Sequence, residues 1–378
     1  MRSIAEYPGK ANVLFAGTER SVYFTIDSGA TWKRLKANLP TTRYDDIIVH
    51  PRTKDLVLGT HGRAIWVLDD ASPFAEWNAA VATEPVHLFT VRRATIINYW
   101  ADVSTAAHGI YAAENPVEGA VFSYHLARAA QRVKFTVTNA AGRVVRELTG
   151  PLTDGMLHRV NWDLRYAAAA APAGFRPAGG GEEGPAPEAA AGGGARGTAR
   201  VALPIPAHNI GPRGFYVSPG TFTVTIDVDG EKRSRTFDVR ADPTLMATVA
   251  DHRARESFLL EAQEVQPKLL AATTAFRDKL AKATAADSAR MIPLGQRYGL
   301  VPVAARGAGP GATGGAPGGG RGGRGGGGPA ALLAALPGAW NGSGARHGGL
   351  QAPSGTQRAV LAQAKAALTA LEQELARK

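Results

Sequence analysis

Through the first 70 positions, apolar residues fall in short runs closed by turn residues, not in the long 3.6-residue stripes of helices. Val22-Tyr23-Phe24-Thr25-Ile26 alternates as a half-buried strand does. The pattern predicts two successive units of strands. Strand A lies at 3–8 and 46–50, strand B at 12–18 and 55–60, and strand C at 21–26 and 64–68, with a strand D only in the first unit at 32–35. The two units repeat each other at an offset of 42 residues: Gly17 matches Gly59, Thr18 matches Thr60, Phe24 matches Trp66 and Asp27 matches Asp69. A repeat of about 40–50 residues made of short strands marks a β-propeller blade. A closed ring takes at least about four blades, so a chain with two reads as the C-terminal part of a longer protein.

The pattern changes after residue 70. Residues 71–117 read as a connector, with Ser72-Pro73 closing the blade and 86–89 a short strand leading out. Residues 118–243 read as an Ig-like or fibronectin-like β-sandwich. Its strands lie at 120–126, 132–138, 143–148, 157–164, 220–228 and 232–239, and Asp229-Gly230 makes a hairpin turn between the last two. An Ala/Gly/Pro-rich insertion at 167–200 interrupts this module, and a Gly-rich linker follows at 302–330; both predict disorder. A helical stripe of Phe258, Ala262, Val265, Leu269, Ala272, Phe276 and Leu280 lies within 244–290, where Pro267 is expected to kink the helix. A last helix within 355–378 carries Leu361, Ala364, Leu368, Leu371 and Leu375, and packing the two stripes together predicts an antiparallel helical hairpin. The fold class is therefore mainly β: a partial propeller, an Ig-like sandwich and a helical end.

Composition removes several chemistries. The 378 residues contain no cysteine, which excludes disulfides, thiolate metal sites and a cysteine nucleophile. No apolar run approaches the roughly 18 residues of a membrane span, and the N-terminus has no apolar leader region. The net charge of +11 comes largely from Arg in an Ala/Gly/Pro-rich background. Arg321 and Arg324 sit in an RGG-like stretch, but residues 302–330 hold no aromatic residue for base stacking, so nucleic acid is not expected as a partner. The nine His residues are scattered without ligand spacing, and neither metal nor cofactor is expected.

The sharpest motif is Thr25-x-Asp27-x-Gly29-x-Thr31-Trp32, an Asp box. Its logic is structural: Asp27 accepts N–H bonds across a tight C–D turn, Gly29 supplies positive φ, and Trp32 covers the turn. Asp69-Asp70, at the repeat position, reads as a degenerate turn. The B–C turns open at the other end of the blades, where propellers bind ligands. Glu19 and Arg20 occupy the first turn and His61 and Arg63 the second. His61 suits acid/base or ligand contact and Arg63 anion contact; equally, the turn needs only Gly62 and the two side chains pair locally. A glycosidase needs two carboxyl groups about 5–9.5 Å apart, and this end offers only Glu19 and the pair Asp45-Asp46. Trp162 reads as a core residue of the sandwich, with sugar stacking as the alternative.

Phe15–Glu19, Asp27–Trp32, Asn38–Pro40, Val49–Pro51 and Gly59–Arg63, together with Leu68-Asp69-Asp70, resemble the last blades of bacterial sortilin-type BNR/Asp-box propeller proteins. Glu114–Pro116, Asn161–Arg165 and Pro219–Val224 resemble the Ig-like module of their tails. The resemblance implies a secreted, periplasmic or cell-surface protein whose further blades precede this chain. It implies a non-catalytic binding or scaffold module for a carbohydrate or protein ligand; the alternative is part of a sialidase-like glycosyl hydrolase whose catalytic residues lie in other blades. No catalytic residue is assigned here.

Overall fold

The structure, a computed structural model, describes residues 1–97, 117–167, 214–301 and 350–377. The expectations for the low-complexity insertion beyond residue 167, for the 302–330 linker and for Glu114–Pro116 fall outside the described residues. The fold is mainly β, with several sheets and a C-terminal helix. The chain forms two compact units. One comprises Met1–Ile97, Ile110–Leu164 and Pro219–Arg240; the other comprises Asn98–Gly109, Arg165–Ser218 and Ala241–Lys378.

The first unit opens with an antiparallel meander of four strands, β1 (Ser3–Tyr7), β2 (Lys10–Gly17), β3 (Val22–Thr25) and β4 (Lys33–Arg34), in that order across the sheet. A second meander has three strands, β5 (Tyr44–Val49), β6 (Leu56–Thr60) and β7 (Ile65–Leu68), with no fourth among the described residues. The two sheets share one core. Val13, Phe15, Val22 and Phe24 from the first sheet lie in one cluster with Ile47, Val49, Leu56 and Leu58 from the second. Phe74, on the short helix α1 (Ser72–Glu76), closes this core, its ring edge-on to Phe15 at 5.5 Å and to Phe24 at 4.8 Å. Each such buried aromatic or aliphatic side chain contributes roughly 1.5–3 kcal/mol.

The second meander is apolar on both faces, because Ile47-Ile48-Val49, Leu56-Val57-Leu58 and Ile65-Trp66-Val67-Leu68 run without alternation. A strand with consecutive apolar residues is suited to cover on both sides. Only one side has it. Ile48 pairs across the sheet with Val57, and Val57 with Val67, so these three make a row on the other face. Ile48 is 53% exposed, Val67 55% and Ile65 71%.

After α1 comes α2 (Ala79–Thr83), capped by Asn78, whose side chain accepts from the Val81 N–H at 3.0 Å. Val86–Leu88 is a strand, β8, but it does not merely lead out of the blades. Its Leu88 pairs with Tyr124 of β10 (Ala120–Leu126), so part of the expected connector completes a three-stranded sheet, β13-β10-β8, with β13 at Gly155–Trp162. The facing sheet has the order β12-β11-β14-β15-β9. Here β9 is Ala94–Thr95, β11 is Val133–Asn139, β12 is Val144–Thr149, β14 is Gly220–Val228 and β15 is Glu231–Arg240. Aromatic side chains join the two sheets: Phe122 stacks on Phe135 at 5.9 Å, and Trp162 meets Phe222 edge-on at 5.4 Å. The Asp229-Gly230 turn does more than reverse the chain. The Asp229 carboxylate accepts the Arg132 N–H at 2.8 Å and the Gln131 N–H at 3.0 Å, tying the hairpin to the start of β11.

In the second unit, α3 (Val249–Ala281) starts at a capping box in which Thr248 and Asp251 exchange bonds, and it continues unbroken through Pro267. α4 (Ala285–Arg297) and α5 (Gly355–Ala376) follow. The expected antiparallel hairpin is corrected here. Asp251 bonds to the backbone of Ala352, Glu261 pairs with Lys365, and Lys279 Nζ donates to the Glu374 carbonyl at 2.9 Å. Both sets of residue numbers rise together, so α3 and α5 run parallel. An apolar stripe states which face is buried but carries no direction. α4 lies beside the C-terminal turns of both helices, where Arg290 Nε donates to the buried Glu374 carboxylate at 2.9 Å.

Candidate functional site

The Asp box is built from short side chains around one turn. Asp27 Oδ1 accepts from Thr25 Oγ1 at 2.6 Å and from the Thr31 N–H at 2.8 Å, while Oδ2 accepts from Thr31 Oγ1 at 2.5 Å. Thr25 Oγ1 in turn accepts the Gly29 N–H at 3.0 Å. Gly29 has φ +90°, and the Trp32 indole lies over it. The hydrogen bond from Thr25, then those from Thr31, hold the Asp27 carboxyl down at about 2. Most of this carboxylate's acceptor capacity is spent on its own turn, and its lowered pKa makes it a weak base. Because the folded pKa lies below the usual carboxylate value of about 3.9, the stabilisation is complete above that value and is lost as pH falls through about 2. The expected result is a melting temperature that declines between about pH 4 and pH 2, with that component missing from Asp27→Asn. An identical acid profile in the variant would place the acid sensitivity elsewhere.

The B–C turns lie at the opposite ends of the same strands. The entry to β5 joins them: the Tyr44 N–H donates to the Thr18 carbonyl at 3.0 Å, and the His61 N–H donates to the Arg43 carbonyl at 2.9 Å. Glu19 and Arg20, and His61 and Arg63, therefore flank one stretch of backbone and share one end of the blades. Their side chains are not equivalent. Glu19 is paired with Arg2. Arg43 Nη2 donates to His61 Nδ1 at 2.8 Å while its Nε lies 2.7 Å from Asp45 Oδ1. An Nδ1 that accepts from a guanidinium carries no proton, so the imidazole N–H is at Nε2. Arg20 and Arg63 are exposed, and their guanidinium groups have no ion pair among the described residues. This end thus offers two open guanidinium groups and an imidazole N–H, while Glu19 and Asp45 are engaged by arginines and Asp46 accepts the Ile47 N–H at 2.9 Å. It is suited to hold an anionic or hydroxyl-rich ligand and not to run paired-carboxyl hydrolysis.

Asp69 and Asp70 form a turn, but one that is drawn into a network the sequence did not reveal. Asp70 Oδ1 accepts the Ser72 N–H at 3.1 Å and its own N–H donates to Asp55 Oδ1 at 2.9 Å. Arg159 from β13 donates to the Asp70 carbonyl at 2.7 Å, and Arg92 lies 3.6 Å from both Asp55 and Asp70. Burial, then the nearby Asp55, pushes the Asp69 carboxyl up, and burial pushes the Arg159 guanidinium down. Asp55 and Arg159 are 104 positions apart and nothing in either local pattern announces the other. Trp162 is fully buried among Phe222 and Phe237, which leaves no ring face for a sugar. A recess of about 310 Å³ lined by Ile26, Asp27, Thr31, Lys33 and Trp77 sits at the Asp-box end, away from the B–C turns. Among the described residues no group of three or more His, Asp or Glu is placed to hold a metal ion, and no helix is long and apolar enough to cross a membrane.

No family model matches the chain, and no curated protein matches it. Among solved structures it is similar to the extracellular domain of a hybrid two-component system from B. thetaiotaomicron, at 11% identity and a TM-score of 0.15, over 62% of this chain. The chain spans about a quarter (24%) of that structure's length, and a likeness this faint identifies no family.

Proposed function

We propose that this chain is the C-terminal part of an exported BNR/Asp-box β-propeller protein and acts as a non-catalytic binding or scaffold module. On this reading the two meanders are its last blades, and the facing sheets are an Ig-like appendage. The observation that carries the reading is the bare second face of β5–β7, where Ile48, Val57 and Val67 form an apolar row in a sheet built for cover on both sides. A stacked blade is the natural cover, since the other face already packs on one. A meander with three strands among the described residues fits a ring whose fourth strand comes from elsewhere in the protein. The Asp-box geometry and the shared end of the two B–C turns add to the reading. The engaged state of Glu19 and Asp45 favours binding over hydrolysis.

The test uses the chain and its Ile48→Lys/Val67→Lys variant. The wild-type chain is expected to self-associate with rising concentration in sedimentation velocity, and the variant to stay monomeric with an unchanged melting temperature. A wild-type chain that remains monomeric at high concentration, or a variant that associates equally, overturns the covered-face reading. Separately, no turnover of a panel of aryl glycosides is expected from the longer protein; turnover that Arg63→Ala or His61→Ala abolishes would move the reading to a glycoside hydrolase.

A further inference from the structure

His87, on β8 of the first unit, is a buried imidazole held between two carboxylates. Its Nδ1 lies 2.9 Å from Glu84 Oε2 and its Nε2 lies 3.1 Å from Glu76 Oε1. An ionised carboxylate only accepts hydrogen bonds, so both contacts need a proton, one more than a neutral imidazole brings. Imidazole is a stronger base than a carboxylate by about two pH units, which places that proton on the ring. The geometry is that of an imidazolium between two anions, with its ring edge-on to Phe89 at 4.8 Å.

The two carboxylates are not equally anchored. Glu76 ends α1, the helix whose Phe74 closes the core of the meanders. Its second oxygen accepts the Thr90 N–H at 2.9 Å, and Arg235 of β15 lies 3.8 Å from the first. Glu84 closes α2, where its N–H donates to the Ala80 carbonyl at 3.1 Å. Its side chain is 36% exposed, and His87 is its one ion-pair partner among the described residues. On β10, His125 stands opposite His87 in the ladder. It donates from Nδ1 to the Gly155 carbonyl at 2.8 Å, and its Nε2 is buried with no hydrogen-bond partner. Glu76, Glu84, His125 and Arg235 are thus the titratable and charged groups that α1, α2, β10 and β15 bring to His87.

We propose that His87 is a pH-sensitive latch on α2, closed while the imidazole holds both protons and opened when it loses one. The neutral ring keeps its N–H on Nε2, where Glu76 is fixed by Thr90 and Arg235. Nδ1 is then a bare lone pair facing Glu84 Oε2, two acceptors with no hydrogen between them. Glu84 is the group free to swing away, and the last turn of α2 is released with it. The contact is complete on the acid side of the imidazole range, roughly pH 5–8, and is lost on the alkaline side. Ala79 and Ala82 of α2 form one wall of the recess beside the Asp box, so the latch sets how firmly that wall is held. None of this rests on what the blades bind.

Amide exchange of the full chain between about pH 5.5 and about pH 8.5 tests the latch, with each rate divided by that of the unfolded chain at the same pH. Protection of the Ala82 and Glu84 amides is expected to fall about tenfold across this range, since a hydrogen bond to a charged group is worth at least that factor. The Thr90 amide, held by Glu76, keeps its protection. Nitrogen NMR of the rings should show both His87 nitrogens protonated at the acid end and only Nε2 at the alkaline end. Glu84→Gln, at a partly exposed position, is expected to fold and to lose the pH response, because its amide can donate to the bare Nδ1 of a neutral ring. Constant protection in the wild-type chain, an equal fall in Glu84→Gln, or a single protonated His87 nitrogen at the acid end overturns the proposal. So does an equal fall at Thr90, which marks general loosening and not release of α2.

Discussion

Trp162→Ala is expected to destabilise the first unit by about 3–5 kcal/mol, the cost of removing a large aromatic side chain from a closed core. The indole is fully buried, lies between Phe222 and Phe237 of the facing sheet, and sits at the end of β13 opposite Ala120 of β10. Its loss leaves a void at the point where the two sheets are pinned, and the rings that face it belong to strands already fixed by their ladders. Relaxation into the void is therefore limited. For a unit of this size about 2–4 °C accompanies each kcal/mol, so the melting transition should fall by roughly 10 °C or more. Trp162→Phe, which keeps a ring in the site, should recover part of the loss. A Trp162→Ala chain that melts within about 2 °C of wild type would contradict the core assignment. It would also revive the view of Trp162 as a stacking platform.

Gly119→Ala is expected to cost more than about 2 kcal/mol from a change of one methyl group. Gly119 has φ +101°, a conformation that L side chains rarely adopt. A Cβ there would stand 2.0 Å from the Trp162 carbonyl oxygen and 2.9 Å from its carbonyl carbon. Backbone atoms cannot swing aside as a side-chain tip can, so β10 must shift along β13 or its first pairs must open. Urea unfolding and amide exchange at Ala120 and Val121 measure both effects. Protection of those amides and a denaturation midpoint equal to wild type would show that the strand start is not held by this close approach.

The two glycine-dependent features differ in how visible they are in the chain. Gly29 lies in a motif whose every member acts within seven positions, so turn, carboxylate and indole could all be placed before any fold was known. Gly119 is required by a carbonyl 43 positions away, and nothing near it signals that demand. The same division runs through the candidate sites. The B–C turns containing Glu19, Arg20, His61 and Arg63 could be aligned from the repeat, and their placement at one end of the blades follows from counting strands. Arg2 and Arg43, which neutralise Glu19 and orient His61, were not singled out, because their roles arise only when strand ends meet. Arg159 beside Asp70 and Glu76 beside His87 belong to the same class.

Strands, turns and helix stripes follow from alternation, turn residues and caps, which act over a few positions and leave their marks in the linear chain. The paired hairpins of β11–β12 and β14–β15 and the apolar stripe of α3 were legible for that reason. Pairing partners and directions are another matter. That β8 leaves the connector to join β10, that α3 and α5 run parallel, and that one face of β5–β7 stays bare depend on which surfaces meet among many of equal hydrophobicity. Burial of apolar area is non-directional; the choice among such meetings is made by the whole folded chain, where close packing admits only one of them.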